Sequence, residues 1–152
     1  MKTRYFFALI CELFLYYQAT IYIIVSLLMY ERSNYMDIHF RKQGKTVIAE
    51  IEGDIDHRFA EEIRRLTERE LYISGADNLV LDMSSVKFMD SSGIGFIIGR
   101  YKTVSALGGK LSIASPSKEA DRILSISGIY RIIKSYKSVD DAILGINQEV
   151  HN

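Results

Sequence analysis

Between Met36 and Ile146 the apolar residues switch period repeatedly, and no other feature limits the fold of this chain as tightly. Thr46-Val47-Ile48-Ala49-Glu50-Ile51-Glu52 has strand character. It is predicted to pair with Asp37 to Arg41 across a turn at Gln43-Gly44 and to end at Gly53-Asp54. From His57 to about Ser74, Phe59, Ile63, Leu66 and Leu71 recur at helical intervals, and Gly75 closes the run. Its mixed-sign charges, Glu61 to Glu70, read as a solvated helix face. Asn78-Leu79-Val80-Leu81-Asp82-Met83 is compact and apolar, as a short buried strand is. Ile94, Ile97, Ile98, Tyr101 and Val104 then predict a helix over Ser92 to Leu107, stopped by Gly108-Gly109. Lys110 to Ala114 reads as a strand, and Pro116 stands near the start of a helix bearing Ala120, Ile123 and Leu124. Ile132 to Tyr136 reads as an edge strand, and Val139, Ala142, Ile143 and Ile146 mark a closing helix. Such alternation implies an α/β domain, a mixed central sheet with about four helices packed against it.

The 152 residues are enough for one domain with a real core. Nineteen Lys and Arg balance nineteen Asp and Glu, so charge gives no reason to expect direct nucleic-acid binding. One cysteine, Cys11, excludes an intramolecular disulfide framework and fits a reducing compartment. His39, His57 and His151 lie far apart, and the spacings of a zinc site are absent. No metal or cofactor is implied.

Residues 1–35 differ from the rest. Tyr5 to Met29 is dominated by large apolar and aromatic residues, with Glu12 its one charge, and a run of that size can cross a bilayer. Lys2 and Arg4 before it would keep the amino end in the cytoplasm and export the downstream chain. No small-x-small cleavage site follows the run, which argues against a secretory signal peptide. However, Met36 opens a complete domain sequence. Glu31-Arg32-Ser33 can be encoded by purine-rich codons containing the AGGAG of a bacterial ribosome-binding site. The preferred expectation is that residues 1–35 are upstream sequence from a misassigned start, with a membrane segment as the alternative.

The densest chemistry lies in Val86-Lys87-Phe88-Met89-Asp90-Ser91-Ser92-Gly93-Ile94-Gly95, where a strand-like stretch gives way to a helix. Gly93, Gly95 and Gly99 superficially match a dinucleotide fingerprint, but the last spacing is wrong and Ser84 to Asp90 intervene after the predicted strand. Gly-x-Ser-x-Gly does not occur, and Gly44-Lys45-Thr46 lies outside this stretch with His39 where a Walker loop needs its first glycine, so a hydrolase elbow and a Walker loop are excluded. Asp90-Ser91-Ser92 keeps two readings. One is helix capping, in which side-chain oxygens accept from first-turn amides, and the residues by themselves favour it. The other is a phosphorylated serine, its anion tolerated at a helix N-terminus.

Phe88-Met89-Asp90-Ser91-Ser92-Gly93-Ile94-Gly95, with Gly99-Arg100-Tyr101-Lys102 and Gly108-Gly109-Lys110, closely resembles the anti-sigma factor antagonists of the STAS (sulphate transporter and anti-sigma antagonist) domain family. Gly53-Asp54-Ile55-Asp56-His57 resembles that family's Gly-Glu-Leu-Asp segment, with Asp54 in place of Glu. Ser127-Gly128-Ile129 resembles its late Ser-Gly-Leu segment. The similarity runs from about Met36 to Ile146, in order, and is greatest toward the sporulation anti-anti-sigma factors; residues 36–152 are therefore expected to form a STAS-like single domain.

The resemblance implies a regulator rather than an enzyme. Such proteins bind an ATP-dependent anti-sigma factor serine kinase and so release a sigma factor. The kinase phosphorylates the serine after the motif aspartate, here Ser91, and a PP2C-type phosphatase reverses the change. Asp56, Asp90, Ser91, Ser92, Gly93, Ile94 and Gly95 are the implied partner-binding residues. ATP and sigma factor are cytoplasmic, so an exporting membrane anchor would conflict with this function, which favours the Met36 start. Two alternatives remain: a membrane-tethered STAS module that gates a transporter or senses a ligand, and a stress-response antagonist with the same chemistry and different partners.

Overall fold

The computed structural model describes residues 16–26 and 35–150, without the side chains of 149 and 150. The chain divides into two compact units, Met1–Asn34 and Tyr35–Asn152. In the first, residues 16–26 are helical, and the Thr20 hydroxyl donates to the Tyr16 carbonyl at 2.8 Å. Among the described residues no helix is long and apolar enough to cross a membrane, and most of the Tyr5–Met29 run lies outside them.

In the second unit five strands form one sheet in sequential order: β1 (Met36–Gln43), β2 (Thr46–Ile55), β3 (Asn78–Met89), β4 (Leu111–Ala114) and β5 (Lys134–Tyr136). β1 and β2 pair antiparallel, with Gln43 opposite Thr46, and every later pair is parallel. Parallel neighbours need crossovers, and helices supply them: α1 (Ala60–Ser74), α2 (Ser91–Ala106) and α3 (Lys118–Ser127) with its 3-10 turn Ile129–Arg131. The last helix, α4 (Val139–Val150), follows β5.

Alternation along the strands sorts the core onto two faces. Val47, Ala49, Ile51, Leu79, Leu81, Met83 and Ile113 pack with Ile63, Leu71, Phe96, Ile97, Val104, Ala120 and Leu124 of α1, α2 and α3. Ile48, Val80 and Ala114 point the other way, to Ala142, Ile143 and Ile146 of α4. The closing stripe expected at Val139, Ala142, Ile143 and Ile146 is therefore the cover of the second face.

Several boundaries differ from expectation. β5 begins at Lys134 rather than Ile132, because the Ile132 and Ile133 N–H groups donate to the Ile129 carbonyl in the turn before it. β2 does not stop at Gly53-Asp54 but continues to Ile55, and β3 continues past Met83 to Met89. The two extensions support each other, since the parallel ladder runs on to Ile55 opposite Met89 through register shifts at Glu50/Glu52 and Gly53/Asp54. Such bulges interrupt the period of two that makes a strand legible. α1 begins at Ala60 rather than His57, because the Asp56 carbonyl accepts from Phe59 and Ala60 N–H in a turn before it.

Candidate functional site

The two extended strands end side by side and deliver the motif residues to one place. The Asp90 N–H donates to the Ile55 carbonyl at 3.3 Å, so Asp56 and Asp90 begin the loops leaving neighbouring carboxyl ends of β2 and β3. In open α/β sheets this end is where binding groups gather. The Ser84 to Asp90 stretch expected between strand and glycines is mostly strand, and α2 starts immediately after Asp90.

Asp90 is the N-cap of α2. Its backbone is extended, its carboxylate accepts from Ser92 N–H at 2.7 Å, and its carbonyl accepts from Gly93 N–H at 3.1 Å. Capping thus belongs to the aspartate and not to either serine. Ser91, the first residue of the helix, is exposed, and its hydroxyl has no hydrogen-bond partner among the described residues. Ser92 and Ile94 are half-buried, with Ile94 packed against the core.

The two glycines have opposite settings. Gly93 is buried, and a methyl group there would overlap the Met89 side chain and stand 3.1 Å from Ile55 Cγ2, so its smallness lets α2 close onto β2 and β3. Gly95 is exposed, and a methyl group there would meet nothing within 4 Å.

Asp56 is buried at 4% exposure, and its carboxylate is engaged by Arg58. Arg58 donates from backbone N–H at 2.9 Å and from Nε at 2.7 Å, with a further guanidinium contact. The Arg58 side-chain bonds hold the Asp56 carboxyl below its ordinary range, against the opposing effect of burial. Asp54, 5% exposed, has the same guanidinium at 3.7 Å. Burial raises its pKa, with the Asp56 charge adding to the effect. The guanidinium also lies 5.2 Å from the Phe59 ring centroid.

The implied residues are therefore brought together, but not all face outward. Ser91 and Gly95 are open, Asp90, Ser92 and Ile94 are partly open, and Asp56 and Gly93 are internal supports. Arg58 and the exposed Phe88 were missed; an Asp-x-Asp-x-Arg spacing at a strand end was the available signal for Arg58. Among the described residues no cluster of His, Cys, Asp and Glu could hold a metal ion.

Comparison with known proteins agrees over this same unit. The model of the STAS domain matches residues 37–142. The anti-sigma F factor antagonist of Paenibacillus polymyxa is 27% identical over 108 residues, covering 71% of this chain and 92% of that protein. The anti-sigma factor antagonist SpoIIAA in its unphosphorylated form superposes with a TM-score of 0.64 at 22% identity, over 74% of this chain and 97% of that one. The Bacillus cell fate determinant SpoIIAA in its phosphorylated form gives 0.56 at 23% identity, over 70% and 96%.

Proposed function

Because this chain belongs to the STAS-domain family, we propose that it is an anti-sigma factor antagonist whose partner docks on the amino end of α2 and is released when Ser91 is phosphorylated. One observation carries the reading: Asp90 caps the helix, so the exposed Ser91 hydroxyl is left without a structural task. A side chain that the fold does not need can be modified without unfolding it.

The partner in this reading is an anti-sigma factor serine kinase, and a PP2C-type phosphatase restores the active form. The chain catalyses nothing itself; Ser91 is a substrate, and the exchange takes place in the cytoplasm. In this reading the controlled process is sporulation, as the motif resemblance implies, with a stress response as the alternative.

The electrostatics explain how one modification is enough. A phosphoserine carries about −1.5 to −2 charges at neutral pH. Asp90 already occupies the Ser92 N–H at 2.7 Å, so that amide is not available to absorb the new anion. The charge is left at the surface, beside whatever is docked there. Repulsion or desolvation worth several kcal/mol results when acidic groups face it, and every ~1.4 kcal/mol is a tenfold loss of affinity.

The test is to incubate the chain with a candidate anti-sigma factor kinase and ATP and to map the phosphate. Label on Ser91, lost in Ser91→Ala, is expected, together with much weaker kinase binding by Ser91→Asp than by Ser91→Ala. Label on Ser92 alone, or equal binding by the two variants, would defeat the proposal.

A further inference from the structure

β3 is three times as long as its neighbour on one side. Its twelve residues pair with β2 as far as Met89, whereas the four of β4 end opposite Asp82. Beyond Met83, whose carbonyl accepts from Ser117 N–H at 3.1 Å, the β4 side of β3 faces no strand. An open cleft of about 440 Å³ runs from there across β3, lined by Ser84, Ser85, Val86 and Lys87, by the start of α3 at Ser117 and Glu119, and by Glu52 of β2 on the other side of the strand.

Phe88 stands at the end of this edge, three residues before Ser91. It is 51% exposed although its strand neighbour Met89 is buried at 2%. An aromatic side chain left half in water forgoes a large part of the stabilisation that full burial would give. A strand edge with no neighbouring strand offers backbone groups to another chain, apart from the Ser84 N–H, which donates to Asp82 Oδ1 at 3.0 Å. Together they match the pattern of edge-strand recognition, in which main-chain bonds give affinity and a side-chain anchor gives specificity. Lys87 on the same edge opposes indiscriminate strand pairing.

We propose that Phe88 and the open β3 edge from Ser84 to Phe88 form a second docking element, taken by an extended segment of the same protein partner that covers Ser91. The inference rests on reading Ser91 as the centre of a protein interface. It adds an apolar anchor that holds the partner in register over the serine.

The experiment measures binding of the full chain to the anti-sigma factor kinase loaded with a non-hydrolysable ATP analogue. Phe88→Ala is compared with Tyr72→Ala, a variant of an aromatic residue 88% exposed at the far end of α1. Phe88→Ala is expected to weaken binding by about tenfold or more, as anchor residues do, while Tyr72→Ala stays within about twofold. Equal behaviour of the two variants overturns the proposal. Hydrogen exchange on the unmutated complex is a second readout. Added protection of the 84–88 amides supports edge pairing, and protection confined to α2 overturns it. Failure of the unmutated chain to bind the kinase at all defeats the parent reading, and is distinguishable from a result in which only Phe88 proves irrelevant.

Discussion

Gly93 sits against Met89 so closely that a single methyl group on it would overlap the methionine side chain, whereas two residues along the same helix Gly95 has open space at that position. Glycine in a helix interior costs about 0.5–1 kcal/mol relative to alanine. At Gly93 the close packing offsets that cost. At Gly95 nothing within the fold does.

The two alanine variants should therefore move stability in opposite directions. Gly93→Ala is expected to lose about 1–3 kcal/mol, the usual cost of overpacking. Gly95→Ala is expected to gain about 0.5–1 kcal/mol, while weakening partner binding if α2 is the docking surface. Denaturant unfolding of both variants checks the signs, and a loss at Gly95 would show that the open space is not free to fill.

Asp90 has a structural task that can be separated from its charge. Asp90→Ala removes the acceptor for Ser92 N–H and should cost about 1 kcal/mol in thermal or denaturant unfolding. Asp90→Asn keeps an equivalent cap and should stay within a few tenths of wild type. Any change that Asp90→Asn produces in binding or phosphorylation then reports the carboxylate charge alone.

Arg58 answers the buried Asp56 carboxylate with its backbone N–H, Nε and terminal nitrogen. Arg58→Ala leaves that carboxylate with one backbone donor and is expected to cost about 1–3 kcal/mol at pH 7, less than for a fully enclosed pair because the Arg58 side chain is 38% exposed. The Asp56 carboxyl is held below its ordinary 3.8, so its stabilisation is present above that value and is lost as pH falls through the folded value. Unfolding measured from pH 7 downward should show a shallower acid decline in Arg58→Ala than in wild type.

The sequence made the outer architecture readable and the centre less so, for identifiable reasons. Val139, Ala142, Ile143 and Ile146 have an unbroken helical period and proved to be the buried face of α4. The far halves of β2 and β3 were hidden because the register shifts put buried Val86 and Met89 three residues apart, with Ser84, Ser85, Lys87 and Phe88 exposed around them. Asp54 looked like a turn residue and is 5% exposed, since only the pairing with β3 turns it inward. Asp90, Ser91 and Ser92 were found where the motif placed them, but their order fits capping by Asp90 and Gly in the packing position just as well as it fits a switch. Local chemistry sets the shape of the site, and the resemblance proposes its use.

Arg100 is a charge the fold tolerates more than it exploits. It is 4% exposed on α2, its terminal nitrogen stands 3.4 Å from the Arg64 carbonyl and 3.5 Å from the Glu68 carboxylate, and its Nε has no partner among the described residues. Burial is the main influence lowering its pKa, and the nearby Arg64 charge acts the same way. A flexible apolar side chain of similar length keeps the packing of the stem without that cost. Arg100→Met is expected to equal wild type or exceed it by up to about 2 kcal/mol in denaturant unfolding, while Arg100→Ala, which removes the stem as well, is expected to be less stable than Arg100→Met.

Asp54 gives a pH signature of the opposite sign to Asp56. Its burial, and the Asp56 charge beside it, raise its pKa above 3.8, while Arg58 and Lys87 pull the other way. An acid with a raised folded pKa stabilises the fold where it is protonated. That contribution declines as pH rises from 3.8 through the folded value and is absent above it. Asp54→Asn is neutral at every pH, so it should unfold at a higher temperature than wild type at pH 7, with the advantage shrinking on acidification and vanishing below 3.8, where the native carboxyl is itself uncharged. Thermal unfolding of the two proteins across that range measures the difference directly. A variant less stable than wild type at pH 7 would mean that the Arg58 contact at 3.7 Å outweighs the cost of burying the charge.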